Sequence, residues 1–359
     1  MVRVKTAVAL GLLGACAAAC GKVGVTATSD AAAGGDALRD ASSEAARDSA
    51  DTRTGGDSAD TRTGGDSADT RTGGDSADAR TGGDSADATV AGDVPAVRPC
   101  PGARPDDTNT GVPAGVALTV VSQDVTVTAD GTTIDAQDIH GFLVIQASHV
   151  RVTRSIVRGR AVTSNASVIR VASGTDVVIE DTEIAVAFPS ATVDGMSGSN
   201  FVARRMNIHG GVDGIKAGSN DTIECSYIHG LASFASDPNQ GGGPTHNDAI
   251  QILSGTGIHV TGNQLVAAMD QNAAIQVTQD FGAVGDLHID GNWADGGGCT
   301  FNISHKGAAS LTGVFTTGNR FGRNSFFDCP ILKSTQTTLV STRDVWDDDG
   351  TPVPIQTHD

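Results

Sequence analysis

Residues 193–208 read VDGMSGSNFVARRMNI and residues 213–228 read DGIKAGSNDTIECSYI. Each stretch holds an Asp-Gly pair, a short apolar run, a corner of Gly, Ser and Asn, a second short run and a closing Ile. The same frame returns in LVIQASHVRVTRSI (143–156), VIRVASGTDVVIEDTEI (168–184), DAIQILSGTGIHVTGNQL (248–265), AIQVTQDFGAVGDLHIDGNW (274–293), FNISHKGAASLTGVFTTGNRF (301–321) and ILKSTQTTLVSTRDVW (331–346). The closing apolar residues are Ile156, Ile184, Ile208, Ile228, Leu265, Trp293, Phe321 and Trp346, roughly 20–37 residues apart, which is one solenoid turn each. The runs are β-branched, short and bounded by Gly, Asn or Asp, and no helical period competes with them beyond residue 110. The frame therefore predicts turns stacked at the strand spacing of about 4.8 Å.

Two regularities support this register. Gly-Asn recurs as Gly262-Asn263, Gly291-Asn292 and Gly318-Asn319 just before the closing residue, where a left-handed corner and a stacked Asn ladder fit. Cys299 and Cys329 fall at one phase of successive turns, within disulfide reach of each other. Cys100 and Cys225 either pair or stay free.

The chain ahead of the repeats has a different character. Residues 1–20 carry a basic start (Arg3, Lys5) and an apolar run too short to cross a bilayer, as a signal peptide does. Leu13-Gly14-Ala15-Cys16 resembles the lipobox of bacterial lipoproteins, with Cys20 as the alternative lipidation site. A lipid on either Cys would anchor the protein at the bacterial cell envelope, facing outward, without spanning the membrane. Residues 21–98 repeat DSADTRTGG from Asp48, Asp57 and Asp66 and DSADARTGG from Asp75. The nine-residue period invites a calcium-roll reading, but Arg stands where a roll needs a large apolar residue. A disordered tether with a reach of roughly 50 Å is the expectation. Residues 99–359 then form one domain.

The formal charge is -18, and aromatic residues are 4% of the chain. Most of that charge lies beyond Arg98, which argues against generic nucleic-acid or membrane-surface binding. Arg151, Arg154, Arg158, Arg160, Arg170, Arg204 and Arg205 form one basic stretch that either meets a polyanion or balances nearby acids.

With the repeats, the lead-in NTGVPAGVALTV (109–120), HNDAIQ (246–251) and GGGCT (296–300), the chain resembles the right-handed parallel β-helix proteins of the pectate-lyase-like superfold over roughly residues 115 to 350. The fold class implied is an all-β, single-stranded solenoid behind a disordered tether. That superfold hosts polysaccharide lyases, epimerases, hydrolases, esterases and adhesins, so function has to be argued from the site.

In the common frame Asp194, Asp213 and Asp248 share one phase, and Lys216, Gln251, Gln276 and Asn302 share another three residues later. Stacking turns such phases into polar ladders, which suit an elongated site for a polymer. Asp194-Gly195 and Asp213-Gly214 also read as tight-turn dipeptides in which Asp bonds its own backbone. Asp248 is followed by Ala249 instead, and it ends the longest excursion, HGLASFASDPNQGGGPTHN (229–247), beside His246 and Asn247. β-Elimination or epimerisation of a uronate polymer would use Lys216 or His246 as base and Asp248 as a further catalytic group. Asn247, Gln251, Gln276 and Asn302 would bind substrate, and Asp194, Asp213 and Asp248 could hold Ca²⁺. VDGI followed by NDAI also resembles the β-helical polygalacturonases, although Asn247 replaces the first Asp of their pair and their Gly-His-Gly and Arg-apolar-Lys elements are missing. Surface glycan binding without turnover is the non-enzymatic alternative. The expected partner is an anionic polysaccharide and the expected state a monomer.

Overall fold

The computed structural model describes residues 103–268, 272–306 and 309–358. Residues 1–102, which include the expected signal segment with Cys16 and Cys20, the expected tether and Cys100, lie outside the described residues.

Three parallel sheets carry the chain. The first has ten strands, from Thr119–Val121 to Val345–Trp346; the second has ten, from Val125–Val127 to Ile355–His358; the third has nine, from Thr133–Asp135 to Thr337–Thr342. Each turn visits the sheets in that order before stacking on the turn ahead of it, so the chain is a parallel β-helix. The second sheet shows why these short runs suffice. Its inward column is Leu143, Ile169, Met196, Ile215, Ile250, Ile275, Phe301 and Ile331, and every member is fully buried. Burial of each such side chain stabilises by about 1.5–3 kcal/mol, so a strand of three residues with one inward apolar side chain is held by its neighbours rather than by its own propensity.

The expected column of closing residues is shifted by one position in two turns. Val157 and Ala294, not Ile156 and Trp293, stack in register with Ile184, Ile208, Ile228, Leu265, Phe321 and Trp346. Ala294 is buried next to the equally buried Phe321, a position with no volume for an indole, and Trp293 is only partly covered outside.

A one-residue left-handed corner joins the third sheet to the first in turn after turn. Gly262, Gly291 and Gly318 take it at φ 65°, 62° and 67°, as their sequence context predicts. Ala136, Arg154, Asp181, Arg205, Cys225 and Arg343 occupy the same corner without being glycine. The Asn ladder follows it: Asn263 Nδ2 donates to Asn292 Oδ1 and Asn292 Nδ2 to Asn319 Oδ1, each at 3.0 Å, and Asn319 Nδ2 donates to Asp344 Oδ1 at 2.9 Å. The Asn rungs also cap backbone carbonyls of Ile223, Val260 and Ile289, so this buried polar stack satisfies itself.

Cys299 and Cys329 form the expected disulfide, with Cα atoms 4.7 Å apart. Cys225 is also disulfide-bonded, and its partner lies outside the described residues. The lead-in segment lies along the first sheet. Arg104 pairs with Asp347 at 3.1 Å, Asp107 accepts from Asn207 Nδ2 at 3.0 Å, and Gly111 N–H donates to Arg205 O at 2.8 Å.

Candidate functional site

The site begins with a backbone irregularity. Gly195 and Met196 both send their N–H groups to the next turn, to Asp213 O at 2.8 Å and Gly214 O at 2.9 Å. A regular parallel strand sends only alternate N–H groups that way, so the hydrogen bonding is locally irregular, without a shift in register, and the Asp194 side chain turns to Lys216. The Asp-Gly pairs are therefore not tight turns. Neither Gly195 nor Gly214 has a positive φ; each is glycine because a Cβ would stand 2.5 Å from a backbone oxygen of the next turn and within 3 Å of Ile208 or Ile228. The Asp residues bond the next turn rather than their own. Asp194 Oδ1 accepts from Asp213 N–H at 3.3 Å, and Asp213 Oδ1 accepts from Asp248 N–H at 2.8 Å.

The ladder encloses one cation. Lys216 Nζ lies 2.7 Å from Asp194 Oδ2 and 3.2 Å from Asp213 Oδ2. Asp248 Oδ2 accepts from Gln251 Nε2 and its Oδ1 from Asn272 Nδ2, both at 3.0 Å, and Asn272 Nδ2 also reaches Gln276 Oε1 at 3.0 Å. Exposure falls along the ladder, from 8% at Asp194 to 2% at Asp213 and 0% at Asp248, whereas the Lys216 side chain is 39% exposed. Three carboxyl groups and one ammonium are more negative charge than a buried site holds. Burial first, and then the Asp194 carboxylate, push Asp213 up to about 7 against the pull of Lys216. Burial and the neighbouring Asp213 push Asp248 well above the carboxylate range. Burial works against charge on Lys216, but Asp194 and Asp213 outweigh it and raise its pKa, so it stays an ammonium ion and cannot serve as a base near neutral pH.

A stability profile follows from these directions. A carboxyl whose pKa is raised on folding binds more protons folded than unfolded between its two pKa values, so its contribution is full at acid pH and lost as pH rises. Stability should thus fall from about pH 4 to pH 7, with Asp213 supplying up to about 1.4 kcal/mol per pH unit, and burial of Asp221, which pushes it up to about 8, adds to the same fall. Thermal unfolding across that range checks it. Asp213→Asn should be less stable throughout, because its amide would face the Lys216 ammonium, yet show a flatter slope; an unchanged slope would remove Asp213 as the titrating group.

Register brings Lys216, Gln251, Gln276 and Asn302 into one row as expected, and extends that row upstream to Ser197 and Arg170. Asn302 is half-buried, and its Oδ1 is a buried oxygen without a hydrogen-bond partner. Other expected residues sit elsewhere. Asn247 is 1% exposed and acts as an internal strap, donating to Val212 O at 2.9 Å and Ala232 O at 2.5 Å and accepting from Thr245. His246 is exposed, and no hydrogen bond joins it to the Asp ladder. The excursion it ends reaches back to Asn165, whose amide exchanges two hydrogen bonds with Asn239. Asn272 was not anticipated, although NAAIQ (272–276) repeats the frame of NDAIQ (247–251) one turn on.

The donor set does not fit Ca²⁺, which takes about six to eight oxygens. Lys216 Nζ stands at the point that Asp194 and Asp213 share, and both Asp248 oxygens face amide donors. Among the described residues no group of three or more His, Cys, Asp or Glu side chains is arranged to hold a metal. No family model, curated protein or solved structure matches the chain.

Proposed function

We propose that the protein acts on a uronate-containing polysaccharide laid along the outer face of the second sheet, by elimination or epimerisation. The observation that carries this reading is the Lys216 ammonium held at the surface between carboxyl groups of which one, Asp213, has a pKa near neutrality. Both reactions start by removing the proton next to the sugar carboxylate, which demands a fixed positive charge for the resulting enolate and a proton acceptor of matched pKa. Lys216 supplies the charge. Asp194 and Asp213, which flank Lys216, take that proton. In elimination a protonated carboxyl of the pair returns one to the leaving oxygen, and in epimerisation water supplies one to the opposite face of the same carbon. The row of Gln251, Gln276 and Asn302 supplies amides for sugar hydroxyls. A lipid-anchored tether would display this face outside the cell.

Hydrolysis with inversion fits less well. Asp194 and Asp213 both reach one nitrogen, which is closer than the roughly 6.5–9.5 Å between carboxyl groups that such an enzyme uses to admit water. Glycan binding without turnover is the second reading. It is favoured by the complete burial of Asp248, with both its oxygens engaged.

Ultraviolet absorbance of the protein mixed with a panel of uronate polymers, with Ca²⁺ and then with a chelator, tests the reading. A rising signal from a new double bond that survives the chelator is the expected result for elimination. A flat trace with deuterium incorporated from heavy water into the polymer marks epimerisation. Neither signal on any polymer would overturn the catalytic reading and leave glycan binding.

A further inference from the structure

The early basic stretch resolves into pairs with one exception. Arg151 pairs with Asp176, Arg154 with Asp135, Arg158 with Asp138, Arg160 with Asp124, Arg204 with Glu180 and Glu224, and Arg205 with Asp181 and Glu180. Arg170 is exposed and has no ion-pair partner among the described residues. It stands in the outward row that contains Lys216, with Ser197 between them. Around it lies a cavity of about 560 Å³ lined also by Ser173, Ser197, Ser199, Asn200 and Ser254. Within the described residues the four serine hydroxyls make no hydrogen bond to protein groups. Gly218 keeps the floor open, since a Cβ there would stand 2.1 Å from Ser199 Oγ.

An unpaired guanidinium among free hydroxyl donors, in a concave site, is the chemistry of carboxylate capture: the fork binds the two oxygens and the hydroxyls take their remaining lone pairs. Two strand spacings separate Arg170 from Lys216, about 10 Å, the span of about two sugar rings. We infer that the Arg170 cavity is a subsite for the carboxylate of a second uronate unit, about two sugars from the one that Lys216 holds. This rests on the reading proposed above and fixes the register of the polymer along the sheet.

Equilibrium titration with an oligogalacturonate and an oligomannuronate, each beside its carboxyl-reduced counterpart, tests it. The native protein should prefer an acidic oligomer. Arg170→Gln, an exposed substitution, should weaken the acidic oligomer about tenfold and leave the reduced one unchanged. Equal affinity of native protein and Arg170→Gln for the acidic oligomer would overturn the subsite while the proposed function stands. Equal affinity of the native protein for acidic and reduced forms would overturn carboxylate recognition, and binding of neither would overturn subsite and function together.

Discussion

Arg205→Ala is expected to lower the stability of the domain by about 3–5 kcal/mol, read from chemical denaturation. The Arg205 side chain is 2% exposed and forks onto Asp181, with Nε to Oδ1 at 2.9 Å and Nη2 to Oδ2 at 2.8 Å, and also reaches Glu180 at 3.1 Å. Truncation leaves two carboxylates facing a void in the middle of the stack. The surrounding acids already hold the guanidinium firmly charged, Asp181 foremost. Arg205 also sits in the left-handed corner at φ 51°, which costs a residue with a Cβ about 1–2 kcal/mol. Arg205→Gly should therefore recover about 1 kcal/mol of the Ala variant's loss. A loss below about 1 kcal/mol in the Ala variant would show that the pair is dispensable.

Lys216→Ala should reduce turnover of a uronate polymer by at least about a hundredfold, the effect of removing one preorganised group that stabilises developing charge. It should also change the pH profile. Without the ammonium, which pulls the Asp213 pKa down, buried Asp213 holds its proton to higher pH, so stability should fall more steeply above about pH 7 than in the native protein. Measuring turnover and thermal unfolding on one variant separates the two roles. Full turnover in Lys216→Ala would exclude it from the chemistry, and an unchanged pH slope would mean that it does not govern the carboxyl ladder.

The period was legible because every turn repeats the same inward apolar positions, and the Asn ladder because Asn263, Asn292 and Asn319 each follow a glycine. The shift at Trp293 was not, since apolar character alone does not say whether a side chain fits beneath a stacked Phe321. The Asp column and the Gln row were legible as phases. Their geometry was hidden, because the irregular hydrogen bonding and close packing at Gly195 and Gly214 arise from contacts between turns, and a dipeptide read alone has only its turn preference. His246 and Asn247 looked alike at the end of the long excursion, yet one is exposed and the other is a buried strap. Burial decides those roles, and it depends on where the excursion folds back to Asn165. The basic stretch was equally opaque: its partners lie mostly one turn away, and only the stacked structure separates Arg170 from the rest.

The lead-in segment changes how the stack responds to force. A solenoid held only by neighbouring turns can peel from either end, one rung at a time. Here Arg104 grips Asp347 near the last turns, Asp107 and Gly111 grip Asn207 and Arg205 in the middle, and the chain then enters the first strand at Thr119. Tension arriving from the N-terminal side meets these contacts before it reaches any strand, and they lie side by side along the first sheet. Such a load would be shared in shear across several turns, so the strap would act as a built-in strain relief for the strands behind it.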